Sequence, residues 1–321
     1  MIDQVLPPAQ APAVSAAIFK AYDIRGIVET ALTEEAVSAI GLALGAKARA
    51  RGIGQVVVGR DGRLSGPALA RALSAGLCAA GVDVIDIGMV PTPLVYFATV
   101  LTGCGTGVAV TGSHNPPEYN GLKMMLGGAT LHGEDIRDIA ATLADPARYA
   151  ALFAATPGTV RTQDVVPDYI ARIAGEVKLA RPLKVVVDAG NGVAGAVAPA
   201  LLRALGITDL TELYCEVDGH FPNHHPDPAH PENLRDLIRE VQARNADIGL
   251  AFDGDGDRLG VVTRNGQMIF PDRQLMLYAA DVLEKNPGAT IIYDVKCTRN
   301  LAPWIRERGG EPLMWCTGHS L

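Results

Sequence analysis

Gly107-Val-Ala-Val110 runs straight into Thr111-Gly-Ser-His-Asn-Pro-Pro-Glu-Tyr-Asn-Gly-Leu-Lys123. The small apolar run reads as a buried strand. Gly112, Asn115, Pro116 and Pro117 then force a turn. Ser113 is held at the mouth of that strand, on backbone that cannot relax into a helix. That is where α/β folds place reactive groups. A lone serine in a loop is most often an ordinary turn residue. A second unusual stretch, Asp253-Gly-Asp-Gly-Asp-Arg258, weighs against that reading here.

Working outward, short apolar runs alternate with helical patterns. Thr33 caps a helix with Glu34 and Glu35 in its first turn. Strands are predicted at 55–59 and 82–87, helices at 67–80 and 93–101, and a hairpin at 122–131 around Gly127-Gly128. A Pro/Ala-rich stretch at 145–158 reads as a linker. Beyond it the pattern resumes. Helices are predicted at 166–176, 193–205, 231–244, 271–285 and 301–308. The strands between them fall at 183–187, 248–252, 259–263, 267–270, 290–293 and 312–315.

Val-Val-Val-Gly-Arg-Asp61, Val-Val-Val-Asp188-Ala-Gly and Ile-Ile-Tyr-Asp294-Val-Lys each put a strand before an acidic loop and a helix, a weak internal repeat. The expected fold is α/β: consecutive related units, each a mixed, mostly parallel sheet between helices, around a central cleft. The expected division is a flexible tail over 1–15 and units over 16–157, 158–265 and 266–321.

A chain of 321 residues, 48 % hydrophobic and 20 % charged, supports a large core and two or three domains. A net charge of −7 without Lys/Arg runs argues against nucleic acid as a partner. No apolar run reaches the roughly 18 residues of a membrane span. The five cysteines are scattered and form no CxxC pair, which fits free thiols in a cytoplasmic protein.

Asp253, Asp255 and Asp257 alternate with glycines after a predicted strand. Hard oxygen ligands this close suit Mg²⁺ or Ca²⁺. The EF-hand pattern fails, with Arg258 and Arg264 where Gly and Glu belong. Gly190-Asn-Gly192-Val-Ala-Gly195 opens a helix after a strand, with Glu212 about 20 residues on, as in a dinucleotide fingerprint. A nicotinamide-dependent oxidoreductase is therefore the rival function, and Asp188 before the first glycine speaks against it. Asn115 excludes a GxSxG hydrolase elbow. His114 and Ser113 are expected to point apart in an extended loop. Lys123 is the better candidate base, if neighbouring cations lower its pKa.

Phe-Lys-Ala-Tyr-Asp-Ile-Arg-Gly26, the serine loop, the acidic loop and Asp294-Val-Lys-Cys-Thr-Arg-Asn through Trp315-Cys-Thr-Gly-His-Ser-Leu321 stand in one order. Together they resemble the α-D-phosphohexomutases, most closely the bacterial phosphomannomutase/phosphoglucomutase group, with phosphoglucosamine mutase as the alternative. The resemblance implies that Ser113 carries a phosphoryl group between the 1- and 6-positions of a mannose or glucose phosphate. It implies a 1,6-bisphosphate intermediate, with glucose 1,6-bisphosphate as activator, and one Mg²⁺ on Asp253, Asp255, Asp257 and the serine oxygen. Lys123 and Arg25 become the acid/base and charge-stabilising pair, with His114 and Arg258 near the phosphoserine. Tyr22, Lys296 and His319 become contacts to the sugar or its phosphate. A small phosphosugar is the implied partner, and a monomer the implied state. Family members continue past this point into a sugar-reading loop and a fourth domain. The expectation is thus a C-terminally truncated mutase with impaired turnover. An inactive phosphosugar-binding relative is the non-enzymatic alternative.

Overall fold

Runs of β-branched residues build the centre of each unit in the computed structural model, which describes residues 7–318 and 320. The first sheet comprises β1 (Ile24–Ile27), β2 (Gln55–Arg60), β3 (Asp83–Met89), β4 (Gly107–Val110), β5 (Tyr119–Leu126), β6 (Ala129–Thr130) and β7 (Val160–Thr162). Its order is β1-β5-β4-β2-β3-β7, with β6 on β5. β4, β2, β3 and β7 run parallel, while β5 is antiparallel to both β4 and β1. Helices α1 (Glu34–Ala50), α2 (Gly66–Ala79), α3 (Thr92–Leu101), α4 (Glu134–Ala144) and α5 (Pro146–Ala150) complete the unit.

The period of two along β2 explains the layering. Val56 and Val58 pack into the core beneath α1 and α2. Val57 faces the other way, onto Leu94, Val95 and Ala98 of α3. All three are fully buried, each worth about 1.5–3 kcal/mol of transfer free energy. A strand buried on both faces forces helices onto both sides. Thr33 caps α1 as predicted, its Oγ1 accepting from the Ala36 N–H at 3.2 Å.

The second unit repeats the plan with α6 (Val166–Glu176), β8 (Lys184–Asp188), α7 (Ala198–Ala204), β9 (Asp209–Leu213), α8 (Arg235–Arg244), β10 (Ile248–Phe252), β11 (Leu259–Thr263) and β12 (Met268–Ile269). Its sheet is ordered β12-β11-β10-β8-β9. The third has α9 (Pro271–Lys285), β13 (Thr290–Tyr293), α10 (Leu301–Glu307) and β14 (Glu311–Met314), with β13 and β14 parallel.

The repeat has a common device. At the end of β2, β8 and β13 an aspartate accepts the N–H two residues on: Arg63 N to Asp61 at 3.0 Å, Gly190 N to Asp188 at 2.8 Å, Lys296 N to Asp294 at 2.9 Å. An Asx turn thus ends the strand each time.

Three expectations change. Stretch 145–158 is no loose linker, because α5 buries Tyr149 in the first core. The chain N-terminal to residue 15 is tied down from Pro8, whose carbonyl accepts the Tyr149 hydroxyl at 2.9 Å. Residues 1–6 lie outside the described residues. The boundaries after 157 and 265 fall short of the sheet edges: β7 still pairs with β3, and β12 with β11.

Candidate functional site

Ser113 stands just past β4 with φ +51°. A left-handed serine is uncommon and costs about 1–2 kcal/mol. The backbone bends there, so the side chains at 113 and 114 do not diverge as an extended loop would require. His114 Nδ1 lies 3.3 Å from Ser113 Oγ. Burial first, then the Arg258 charge, pushes the His114 imidazole down to about 4, so it stands neutral at pH 7.

The acidic loop after β10 meets this serine. Ser113 Oγ donates to Asp253 Oδ2 at 3.1 Å. Gly254 permits the approach, since a Cβ there would lie 2.4 Å from the Ser113 carbonyl oxygen. Asp253 and Asp255 are fully buried. Asp253 Oδ1 accepts the N–H groups of Asp257 and Arg258, both at 3.0 Å. Thr92, at the start of α3, fastens Asp255 twice: hydroxyl to carboxylate at 2.6 Å and N–H to carbonyl at 2.9 Å.

The three carboxylates fit a divalent cation. One oxygen from each lies within 4.8 Å of the others. Asp255 Oδ1 is buried without a hydrogen-bond partner. Burial and the neighbouring Asp255 and Asp257 charges hold the Asp253 carboxyl well above the usual carboxylate range. Each is what an oxygen-donor cation site looks like from the protein side.

Lys123 and Arg25 reach the site from adjoining strands. Arg25 pairs with Gly121 across β1 and β5, and Lys123 lies two residues along from Gly121, so both face the same way. Arg25 donates to Asn115 Oδ1 at 2.5 Å and Asp23 Oδ2 at 2.6 Å. Lys123 Nζ donates to Asp255 Oδ2 at 2.7 Å and Asp257 Oδ2 at 2.5 Å. The expectation that cations lower the Lys123 pKa is therefore corrected. Burial pulls it down, but the Asp255 and Asp257 carboxylates outweigh burial and hold the ammonium above the ordinary lysine range.

These groups surround a cavity of about 300 Å³. Tyr22, Arg25, Ser113, His114, Lys123, Asp257, Arg258 and Lys296 line it, with Thr317 and Gly318. Asp253 and Asp255 stand behind this lining, hydrogen-bonded to Ser113 Oγ and Lys123 Nζ respectively. The site expectation for His319 lies outside the described residues. A larger cavity, about 780 Å³, is lined by Glu29, Glu34, Glu35 and Glu118. Its carboxylates repel an anion, so the smaller, cation-lined cavity is the candidate site.

The dinucleotide reading of 190–195 is overturned by packing. Space above Gly190 is filled by His224 and Pro226. Gly192 lies against Gly254, and a Cβ on Gly195 would sit 2.1 Å from the Cys215 carbonyl. These glycines admit protein backbone, leaving no room for a pyrophosphate. Glu212 is paired with Arg203. Asp188 is held by His224 Nε2 at 3.1 Å to both carboxylate oxygens.

Two consecutive α/β/α units that press a left-handed serine against an acidic, cation-fitting loop define the class of protein. Residues 16–149 match the model for phosphoglucomutase/phosphomannomutase, alpha/beta/alpha domain I, and residues 167–266 that for domain II. The chain is 56 % identical over 303 residues to a phosphoglucomutase of Neisseria gonorrhoeae, covering 94 % of this chain and 65 % of that protein. It is 54 % identical over 313 residues to a phosphomannomutase/phosphoglucomutase of Pseudomonas aeruginosa, covering 98 % and 66 %. A crystal structure of a phosphoglucomutase/phosphomannomutase family protein from Burkholderia thailandensis superposes with a TM-score of 0.91 at 58 % identity, covering 96 % of this chain and 68 % of that one. The chain belongs to the phosphoglucomutase/phosphomannomutase family, and it spans about two thirds of the length of these relatives.

Proposed function

We propose that this chain carries the phosphoryl-bearing serine and the cation loop of a phosphohexomutase that interconverts hexose 1-phosphates and 6-phosphates. The observation that carries the reading is the 3.1 Å contact of Ser113 Oγ with Asp253, inside a cavity also lined by Arg25, Lys123, Arg258 and Lys296. A nucleophilic oxygen, clustered cations and a divalent-cation site are what phosphoryl transfer requires. The relatives' names point to glucose and mannose phosphates as substrates.

In the forward half-reaction a sugar hydroxyl oxygen bonds to the phosphorus of phospho-Ser113 as the P–Oγ bond breaks, giving a hexose 1,6-bisphosphate. The hydroxyl proton is taken up as the new bond forms by the group that returns it in the reverse half-reaction, the Lys123 side chain as its neutral amine. In the reverse half-reaction Ser113 takes the other phosphate and the sugar oxygen is reprotonated. Lys123, held as an ammonium, is the group suited to donate that proton. Arg25 spreads positive charge over the serine loop. Neutral His114 and Arg258 flank the phosphoserine, and Tyr22, Lys296 and His319 bind the sugar or its far phosphate. Asp253, Asp255, Asp257 and a serine phosphate oxygen would hold Mg²⁺, which when bound draws off charge from the transferring phosphoryl group. We place the enzyme in the cytoplasm as a monomer.

The test is intact-mass analysis after incubation with glucose 1,6-bisphosphate and Mg²⁺, beside a coupled assay of mannose 1-phosphate and glucose 1-phosphate conversion. One added phosphate, lost in Ser113→Ala, is expected. A chain that accepts no phosphate, or accepts it in Ser113→Ala, contradicts the reading.

A further inference from the structure

Arg63 heads the large side chains that are wholly buried, with 1 % of its surface exposed. A buried guanidinium is costly unless its donors are used. Here all five are. Nε donates to Asp61 Oδ2 at 3.2 Å. Nη1 donates to the carbonyls of Pro116 at 2.6 Å and Tyr119 at 3.0 Å. Nη2 donates to the carbonyls of Ser113 at 2.9 Å and Asn115 at 2.6 Å. Four carbonyls of one loop therefore converge on one planar fork.

The surroundings are shaped to admit it. A Cβ on Gly112 would lie 2.4 Å from the Arg63 guanidinium carbon. The Phe221 ring, from the second unit, covers the group at 5.2 Å. Asp61 closes the circuit on the other strand end, accepting the Thr111 hydroxyl at 2.8 Å and the Gly112 N–H at 3.1 Å. Thr111 Oγ1 in turn accepts the Ser113 N–H at 2.7 Å. The Ser113 backbone is gripped at both its N–H and its carbonyl.

We propose that Arg63 is a positioning residue for phosphoryl transfer: it holds Ser113 in its left-handed conformation and so fixes Oγ against the acidic loop. This rests on the proposed role of Ser113. A left-handed serine persists only where its neighbours over-determine it, and among the described residues no other side chain binds four carbonyls of this loop. Lysine keeps the charge, but three donors on a flexible stem satisfy at most three of the five acceptors. Charge alone therefore does not replace the fork.

The experiment compares the wild-type chain with Arg63→Lys and Arg63→Met. Three quantities are read: the rate of Ser113 phosphorylation by glucose 1,6-bisphosphate, amide hydrogen exchange over 112–119, and Mg²⁺ affinity by calorimetry. Both variants are expected to fold and to keep Mg²⁺ affinity within about threefold. Phosphorylation should slow by about 100-fold, the scale of a 1 Å misplacement, while the 112–119 amides exchange faster. An Arg63→Lys chain that phosphorylates at the wild-type rate overturns the proposal. So does one that cannot fold, because Arg63 then serves the fold rather than the loop. If the wild-type chain itself takes no phosphate, the proposed function fails. Amide exchange then still decides the clamp, and unchanged protection over 112–119 in Arg63→Lys overturns it.

Discussion

The Lys123 ammonium lies 2.7 Å from the Asp255 carboxylate, with both side chains buried, and joins a strand of the first sheet to the loop between two strands of the second. Removing one partner of such a pair leaves an uncompensated charge in a dry site, which costs about 3–5 kcal/mol. Lys123→Met should lose that much stability in EDTA. Mg²⁺ should restore a large part of it, because a cation answers the same carboxylates. Urea denaturation with and without Mg²⁺ reads both numbers, and equal losses in the two conditions would show that the carboxylates do not share a cation.

Thr92 makes the other attachment of Asp255, at 2.6 Å from hydroxyl to carboxylate. Thr92→Val removes that hydroxyl and nothing of the shape. A hydrogen bond to a charged group contributes about 1.5–3 kcal/mol. The variant should unfold at lower urea by that amount with an unchanged m-value, and a midpoint equal to wild type would refute the contact's importance.

Gly254→Ala tests the approach of the two loops. The added methyl would sit 2.4 Å from the Ser113 carbonyl, so the acidic loop must withdraw. Cation affinity should fall by about 10- to 100-fold, the usual effect of disturbing the shell around a metal. Titration calorimetry with Mn²⁺ gives the value, and unaltered affinity would mean that the loops yield without strain.

His224 supplies a pH signature away from the cation loop. Burial opposes its charge, but the hydrogen bond and charge of Asp188 raise its pKa above the ordinary histidine value. The protonated form is therefore favoured by folding. Its stabilisation is complete below about pH 6.5 and is lost as pH rises through the raised value. The thermal midpoint should fall as pH rises above about 6.5 in the wild-type chain and fall less in His224→Gln. Parallel pH profiles for the two would remove His224 as the cause.

Much of the fold is legible in the sequence. Valine runs at 56–58 and 185–187 marked central strands because burial on both faces leaves no polar position. β7 was not legible: three residues with Val160 largely exposed carry no periodicity. The site divides in the same way. Ser113 and the three aspartates stand out because each motif is contiguous in sequence. Arg63 and Thr92 do not, since each acts on a partner far along the chain, Thr92 on a residue 163 positions away. The one available hint was Asp61-Gly-Arg63 directly after a strand, whose partners are backbone carbonyls with no sequence identity. The serine loop looked extended because proline and asparagine signal a turn without telling its hand.

The aspartates that end β2, β8 and β13 each spend one oxygen on their own turn and have acceptor capacity left for a second partner. Asp61 gives it to Thr111, Gly112 and Arg63, steadying the Ser113 loop. Asp188 shares both its oxygens with His224. Asp294 gives its other oxygen to the Thr317 hydroxyl at 2.9 Å. The same turn thus uses one carboxylate oxygen as scaffold at three strand ends and leaves the remaining acceptor capacity to a different partner each time.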